Sequence, residues 1–249
     1  MEKLIELKNI FAGYDERLVL DNINLTINKD DFIGVIGPNG GGKTTLIKLI
    51  LGLIKPFSGE IIMNKNGRDT FCGYLPQYNN FDKQFPISVL EIVLSGLMSK
   101  KNFFKKYSTS DKKSALELLE MAGIKHLAKQ NIGETSGGQM QRALLCRAII
   151  SNPEILVLDE PVTYVDRDFE KEMYELLKEL NKKMAIIMVT HDVGIVSSYV
   201  KTIACVNKDI HYHKSNIIAA ETLKNYNCPI DMITHGVIPH RVLLDHNKK

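Results

Sequence analysis

The chain has 249 residues, of which 44% are hydrophobic and 24% charged, so it can bury one substantial α/β core with a modest inserted lobe but hardly two full domains. Its 32 basic and 29 acidic side chains give a formal net charge of +3, so bulk electrostatics do not predict a nucleic-acid partner. The cysteines are widely spaced with no pair at CxxC distance, which argues against a disulfide framework or a sequence-local zinc site and favours reduced thiols in a cytosolic location.

Strand patterns dominate the first third of the chain. A helix is predicted from about Lys43 to Leu53.

The N-terminal residues 1–10 alternate charged and apolar side chains, unlike a signal peptide. No run approaches the roughly 20 apolar residues of a membrane span, so a role at a membrane needs other subunits. The predicted strands cover residues 4–10, 23–27, 31–37, 59–63 and 70–75, with a turn at Lys65-Asn66-Gly67.

The middle of the chain has a helical pattern. Apolar residues recur there at three- and four-residue spacing, which predicts an inserted helical subdomain over residues 79–151. Ser88 and Glu91 have the spacing of a capping box, so a helix is expected to begin there. The predicted helices lie within residues 88–98, 111–123 and 138–150.

Buried strands return after the helical subdomain. An amphipathic helix near Phe169 to Leu180 separates the first two of them, which is typical of a parallel α/β sheet. The strands lie within residues 154–160, 182–192 and 200–207. We expect residues 1–249 to form a single domain. Its α/β core with a β subdomain covers 1–78 and 152–215, and a C-terminal extension covers 216–249.

The most specific chemical motif is GPNGGGKTT, from Gly37 to Thr45. It matches the P-loop pattern G-x-x-x-x-G-K-[ST] and lies between a predicted strand and a predicted helix, as that motif requires. Its glycines let consecutive N–H groups converge on phosphate oxygens. Lys43 is expected to neutralise the β- and γ-phosphates of a nucleotide, and the Thr44 hydroxyl to bind Mg²⁺. The expected phosphate-binding residues are Gly37, Asn39, Gly40, Gly42, Lys43, Thr44 and Thr45.

A second motif, ILVLDEP, covers residues 155–161. Four apolar residues place a strand inside the sheet, and Asp159 lies at its C-terminal end, where open α/β sheets bind ligands. Taken alone, acidic residues after a strand are more often loop residues or helix caps. Beside a P-loop, Asp159 is expected to be a second Mg²⁺ partner, directly or through water, and Glu160 a general base for the attacking water.

The third motif, TSGGQ, begins at Thr135 and leads into a predicted helix. Ser136 and Gln139 have capping-box spacing, so the motif can be a plain helix start. It also provides a helix N-terminus rich in N–H groups but without a lysine, which suits closure over an exposed γ-phosphate. TSGGQ followed by MQRALLCRAIISNPEILVLDEP resembles the signature motif and Walker B region of ABC-type ATPases, and the resemblance covers nearly the whole chain.

The resemblance implies the ABC ATPase fold: an α/β P-loop NTPase with a mixed sheet core, an antiparallel β subdomain and an inserted helical subdomain. It implies hydrolysis of ATP with Mg²⁺. It also implies a head-to-tail homodimer with two equivalent sites, in which Ser136, Gly138 and Gln139 of one subunit contact the ATP bound by the other.

Four more residues match family motifs, and each also has a structural interpretation. Tyr14 matches the aromatic residue that stacks on adenine, although such a tyrosine otherwise packs. Gln77 matches the Q-loop residue that reaches Mg²⁺ and the attacking water, Asp166 the D-loop aspartate, and His191 the switch histidine. Their alternatives are a polar loop residue, a helix cap and a structural histidine. The implied catalytic residues are Glu160, His191 and Gln77, and the implied Mg²⁺ ligands are Thr44, Gln77 and Asp159.

Three positions depart from the family pattern. Thr135 stands where leucine is usual, Val162 where threonine is common, and Tyr164 where glycine is common. None of the three is an expected phosphate contact. Because Tyr164 replaces a common glycine, the sequence does not predict the D-loop geometry or the rate of hydrolysis.

The run FPISVLEIVLSG, from Phe85 to Gly96, resembles the Q-loop region of ATPases serving zinc, manganese and iron(III)-chelate importers. In those importers a groove here receives a short helix of the membrane subunit; an ordinary packed helix start is the structural alternative. The resemblance implies a peripheral ATPase at the cytoplasmic face of the inner (cell) membrane that energises metal-ion import. Its partners would be integral membrane permease subunits and, indirectly, an extracytoplasmic metal-binding protein.

Two other functions stay open. One is an importer of iron(III) chelates, siderophores or cobalamin, and the other is a soluble ABC-type ATPase acting on DNA or ribosomes. The latter usually has two ATPase halves or long coiled-coil insertions. This sequence has one P-loop, one signature motif and no heptad stretch, which favours transport and no nucleic-acid partner.

Histidines near the C-terminus suggest a regulatory metal site. His211 and His213 alternate along a predicted strand, and imidazole binds zinc well. Scattered surface histidines are the commoner explanation. The other histidines of this region are His235, His240 and His246.

Overall fold

The structure is a computed structural model that describes residues 2–64, 71–77, 85–98, 106–162, 167–191, 198–213, 232–233 and 240–241. The predicted turn at 65–67 and the residues Tyr164, Asp166, His235 and His246 lie outside the described residues. The chain divides into two compact units. The first unit is Met1–Glu6, Thr26–Phe32 and Ile62–Val189, and the second is Leu7–Leu25, Ile33–Ile61 and Thr190–Lys249.

The elements alternate between strands and helices over much of the chain. In chain order they are β1 (Lys3–Tyr14), β2 (Arg17–Asn28), β3 (Phe32–Ile36), α1 (Lys43–Ile50), β4 (Ser58–Met63), β5 (Cys72–Leu75), α2 (Val89–Ser95), α3 (Thr109–Met121), α4 (Gly137–Ile149), β6 (Ile155–Asp159), α5 (Arg167–Asn181), β7 (Ala185–Val189), β8 (Thr202–Asn207), β9 (Asp209–His213), β10 (Met232–Ile233) and β11 (His240–Arg241).

The first unit contains three parallel strands in the order β5-β6-β7. All residues of β6 and β7 are buried; apart from Asp159 at the end of β6 they are apolar, which is typical of a parallel sheet covered on both faces. The register pairs Leu75 with Leu158 and Asp159 with Val189. This register brings the carboxyl ends of the three strands together. Polar residues, among them Gln77 after β5 and Glu160 after β6, follow the strands there.

Helices α2, α3 and α4 of the first unit enclose a separate apolar cluster, so the predicted helical region is present. Both α2 and α3 begin with capping boxes, at Ser88 and Ser108, which fix their starts. The cluster contains Val89, Ile92, Val93, Leu94, Leu97, Ala115, Leu119, Ala122, Ile124, Leu127, Ala128, Ile132, Met140, Ala143 and Cys146. The boundaries predicted for the subdomains stay a prediction.

The second unit combines parallel and antiparallel pairing. β3 pairs in parallel with β8, and β8 pairs antiparallel with β9, so the predicted mixed sheet is confirmed. β1 and β2 are joined by Asp15-Glu16, whose φ angles are 46° and 63°, as a tight hairpin turn requires. With β4 they form a sheet in the order β2-β1-β4.

Helix α1 ends at Ile50, three residues before the predicted Leu53. Gly52 adopts φ 70°, its N–H donates to the Leu49 carbonyl at 3.0 Å, and the Leu53 N–H donates to the Lys48 carbonyl at 2.8 Å. This is a Schellman motif, which closes the helix with a left-handed glycine. The prediction placed the end of the helix too late because the spacing of apolar residues continues to Leu53 and carries no information about this turn.

Substitution of Gly96 with Ala is expected to destabilise the first unit. A Cβ there would lie 2.1 Å from the Arg147 carbonyl oxygen and 2.7 Å from Ile150 Cγ2, and overpacking of this kind costs about 1–3 kcal/mol. Its φ of −64° adds no backbone strain. The control is Gly137→Ala, whose Cβ meets nothing within 4 Å. Urea unfolding followed by circular dichroism would contradict the prediction if both variants had the same midpoint.

Candidate functional site

The predicted phosphate loop connects β3 to α1 in the second unit. Gly37, Gly40 and Gly42 have φ angles of 150°, 76° and 105°, which L-residues with a side chain rarely adopt. A Cβ on Gly37 would lie 2.0 Å from the Val206 carbonyl oxygen, and one on Gly42 would lie 2.4 Å from Leu20 Cδ2. The loop therefore needs glycine because its backbone packs directly against β8 and β2.

Lys43 directs its side chain into this loop. It is 7% exposed, and Nζ donates to the carbonyl oxygens of Gly37 at 2.8 Å and Pro38 at 2.9 Å. Helix α1 has Gly42 as its N-cap, without a side-chain cap and with no acidic residue in its first turn. The helix dipole and the first N–H groups are thus arranged to attract an anion such as phosphate.

The other expected ligand residues of the second unit differ in exposure. Asn39, Gly40, Thr44 and His191 are exposed, whereas Thr45 is 4% exposed. Exposure at the first four positions is compatible with the predicted contacts to a nucleotide. The backbone N–H of Thr45 is the group of that residue that best suits a ligand contact.

Tyr14 lies at the end of β1 with 39% of its surface exposed. Lys48 Nζ lies 5.0 Å from the centroid of its ring, within the range of a cation–π interaction. The ring is therefore accessible enough to stack on a planar ligand while it is supported by a residue of α1.

In the first unit, Asp159 and Glu160 follow one another at the end of β6. Glu160 has φ 51°, and its N–H donates to the Val189 carbonyl at 2.9 Å. This left-handed conformation is uncommon for a residue with a side chain. Gln77 Nε2 donates to Glu160 Oε2 at 2.6 Å, so the two predicted catalytic side chains are brought together. The Gln77 Oε1 atom can still accept a bond or bind a cation.

Tyr74 belongs to this group, although the sequence analysis did not identify it. The β5–β6 register pairs Tyr74 with Val157, and Asp159 lies two residues further on the same sheet face. Burial raises the pKa of Tyr74, and the charge of Asp159 and a hydrogen bond to its carboxylate raise it further. Since Asp159 is only 8% exposed, the tyrosine hydroxyl helps to fix the orientation of a buried carboxylate.

The TSGGQ segment starts α4, and the predicted capping box is confirmed. Ser136 Oγ accepts from the Gln139 N–H at 3.3 Å, and Gln139 Oε1 accepts from the Ser136 N–H at 2.9 Å. Thr135, where leucine was expected, is 8% exposed and donates its hydroxyl to the Ile132 carbonyl at 2.6 Å. The departure from the family pattern is therefore accommodated by a satisfied buried hydroxyl.

Gln141 is a second residue that the sequence analysis missed. It is 6% exposed, and its Nε2 donates to the Pro161 carbonyl at 2.6 Å. Helix α4 is thereby tied to the residue that follows Glu160. The sequence does not predict this contact, because the acceptor is a backbone carbonyl 20 residues away and any residue could provide it.

The helix start predicted at Ser88 is also confirmed. Ser88 Oγ accepts from the Glu91 N–H at 3.2 Å, and the hydrogen bonds of Ser88 to the carboxylate lower the pKa of Glu91. Phe85, just before this start, is 56% exposed. An exposed aromatic side chain beside a fixed helix start is available for contact with another protein.

The regulatory metal hypothesis receives no support from the described residues. His211 and His213 do lie on one strand, β9, and His211 Nε2 lies 3.1 Å from Asp209 Oδ2. In the described part of the chain, however, no three His, Cys, Asp or Glu side chains form a group that could hold a metal ion.

The ABC transporter family model matches residues 20–163. The zinc uptake system ATP-binding protein ZurA of Listeria innocua is 42% identical over 86% of this chain and 87% of its own. The high-affinity zinc uptake system ATP-binding protein ZnuC of Bacillus subtilis is 40% identical over 79% of this chain and 87% of its own.

Solved structures agree in fold. One transporter assigned to the metal-chelate type of ABC transporter, in an inward-facing conformation, superposes with a TM-score of 0.82 at 30% identity and covers 93% of this chain and 91% of its own. A dimeric bacterial ABC transporter cassette, MJ0796, superposes with a TM-score of 0.72 at 28% identity over 87% of this chain and 100% of its own. No helix within the described ranges has the length and apolar character needed to cross a membrane.

Replacement of Lys43 with Met is expected to weaken the protein in two separable ways. It removes two hydrogen bonds to loop carbonyls, and bonds that involve a charged group contribute roughly 1.5–3 kcal/mol each, so the nucleotide-free variant should melt at a lower temperature. It also removes the predicted phosphate contact, so ATP should no longer raise the melting temperature. Thermal shift assays with and without ATP measure both effects. A variant still stabilised by ATP would contradict the phosphate role.

Proposed function

Because this chain belongs to the ABC transporter family of ATP-hydrolysing subunits, we propose that it energises the import of a metal ion, with zinc as the first candidate. The observation that carries this proposal is the 42% identity to a zinc uptake ATP-binding protein across 86% of the chain. Manganese and iron(III) chelates are the alternative cargoes, favoured by the resemblance of the segment from Phe85 to Gly96.

The proposed ATP site uses the phosphate loop. Lys43 would exchange its two carbonyl partners for the β- and γ-phosphates, which keeps its charge compensated in both states. Tyr14 would stack on adenine. Hydroxyl, amide and carboxylate oxygens are suitable ligands for Mg²⁺, which compensates phosphate charge when bound; the proposed ligands are Thr44, Gln77 and Asp159. The proposed ATP contacts within one subunit are Tyr14, Gly37, Asn39, Gly40, Gly42, Lys43, Thr44 and Thr45.

Hydrolysis requires a base that removes a proton from the attacking water. Glu160 is the proposed base, and its hydrogen bond from Gln77 supports this role because it helps to orient the carboxylate. His191 is proposed to contact the γ-phosphate. These roles are carried over from the family motifs.

The proposed active form is a head-to-tail homodimer. Ser136, Gly138, Gln139 and Asp166 of each subunit would act on the ATP bound by the other. The dimeric structure of the cassette MJ0796 supports the formation of a dimer. The dimer would lie at the cytoplasmic face of the membrane, bound to integral permease subunits, and would serve an extracytoplasmic metal-binding protein indirectly.

Substitution of Glu160 with Gln is expected to preserve MgATP binding and to lower ATP turnover by roughly 10²- to 10⁴-fold, the usual effect of losing a general base. The variant should accumulate as an ATP-bound dimer in sedimentation experiments. The matched control is Glu175→Gln, which removes an exposed carboxylate of α5 that pairs with Lys178 and should leave turnover unchanged. Near-normal turnover of Glu160→Gln would reject the role of base.

Tagged protein purified from gently solubilised native membranes is expected to carry a polytopic membrane protein, identified by mass spectrometry. Phe85→Ser should lose this partner because the variant removes an exposed aromatic ring, while ATP-driven dimerisation is retained. Met121→Ser is the control, since Met121 is also exposed, at 44%, but lies at the end of α3. Co-purification of ribosomal or DNA-repair proteins instead would overturn the transport assignment, but it would not contradict the ATPase activity.

A further inference from the structure

The start of α4 contacts α5 through a glycine and an aromatic ring. A Cβ added to Gly138 would lie 2.7 Å from Phe169 Cε2 and 2.8 Å from Phe169 Cδ2, closer than real Cβ atoms approach other atoms. The Phe169 ring therefore occupies the space that a side chain at position 138 would need. This contact lies within the first unit and involves no ligand.

The Phe169 ring also contacts Arg142, which lies one turn after Gly138 on the same face of α4. The guanidinium carbon of Arg142 lies 5.0 Å from the centroid of the ring, which is a cation–π distance. Arg142 itself is fixed, since Nη1 donates to the Ala122 carbonyl at 2.7 Å and Nη2 forms an ion pair with Glu172. A shift of the ring to admit a larger residue at position 138 would therefore disturb its contact with the anchored Arg142 guanidinium.

The two adjacent glycines have different surroundings. A Cβ on Gly137 would meet nothing within 4 Å, and Gly137 is exposed. Gly138, in contrast, is packed against its own subunit. If glycine were needed at position 138 only so that the backbone could approach a phosphate, Gly138 would not need to pack tightly against Phe169.

We propose that Phe169 is a positioning residue for the signature motif. Its ring, held by Arg142, sets the position of the first turn of α4, and with it the Ser136 hydroxyl and the N–H groups that face the partner's nucleotide. Glycine is required at position 138 because the ring fills its side-chain space. This inference rests on the proposed function, since it assumes that the start of α4 acts on ATP in the dimer.

A second contact ties α4 to the general base. Gln141 binds the Pro161 carbonyl at 2.6 Å, one residue after Glu160, and Phe169 lies a short distance further along the chain. Helix α4 thus touches the chain both just after Glu160 and at the start of α5. Displacement of its first turn by a larger residue at position 138 is therefore expected to impair ATP-driven closure rather than binding of ATP by the monomer.

The test is a double-mutant cycle of Gly138→Ala and Phe169→Leu in the Glu160→Gln background. The MgATP concentration for half-maximal dimerisation is measured by sedimentation, and the ATP affinity of the monomer with a fluorescent analogue. With Phe169 present, Gly138→Ala should raise the dimerisation concentration by roughly 5- to 150-fold, as expected for overpacking. In the Phe169→Leu variant the smaller side chain should reduce this effect to about 3-fold or less. Monomer affinity should stay unchanged throughout.

The control is Gly137→Ala, whose effect should be the same with either residue at position 169. If Gly138→Ala has the same effect in both backgrounds, the glycine serves phosphate contact alone and the inference is overturned. Failure of the Glu160→Gln parent to dimerise would count against the proposed function instead. The unfolding midpoints of the same variants, measured without nucleotide, test whether position 138 packs against Phe169. If the effects of the two substitutions on the midpoint are additive, the two residues do not interact and the inference is overturned.

Discussion

Close backbone contact around helix α4 is the constraint on which the first unit depends. A Cβ on Gly73 of β5 would lie 2.2 Å from a carbonyl oxygen of α4, one on Gly96 after α2 would lie 2.1 Å from another, and one on Gly138 would meet the Phe169 ring at 2.7 Å. Two of these close approaches are to backbone carbonyl oxygens of the helix, and the third is to an aromatic side chain. Side chains at interfaces can change rotamer, but a carbonyl oxygen cannot, so the position of α4 is tightly determined.

The phosphate loop follows the same principle in the second unit. Gly37 lies against the Val206 carbonyl, and the Gly41 carbonyl accepts from the Lys208 N–H at 2.9 Å. Lys43 bonds to carbonyls inside the loop, so its charge is compensated without a ligand. Because a buried charge without partners is costly, this arrangement keeps the loop formed before nucleotide binds and reduces the reorganisation that binding requires.

Local signals in the sequence predicted local structure well. The P-loop, the buried strand before Asp159 and the capping boxes at Ser88 and Ser136 each depend on residues within a few positions of one another. The contacts that sequence analysis missed are non-local. The hydrogen bond between Tyr74 and Asp159 depends on the register of two strands far apart in the chain, and the packing of Gly138 on Phe169 depends on how two helices cross. The left-handed conformation of Glu160 was missed as well, since no sequence pattern for a residue with a side chain reports it.

The start of α4 shows why a helix cap and a ligand loop look alike in sequence. In the cap, Ser136 Oγ accepts a hydrogen bond from the Gln139 N–H, which uses a lone pair of the hydroxyl. A phosphate oxygen would accept the hydroxyl hydrogen, which the cap does not use. One serine can therefore serve both roles at once, and the capping box supports ligand binding because it fixes the direction of the hydroxyl. What distinguishes a ligand loop is its surroundings: Gly137 is open to solvent, while Thr135 and Gly138 on either side are packed within the subunit. Ser136 and Gly137 are exposed, and Gly138 and Gln139 are partly exposed, so the motif can make a contact across a dimer interface.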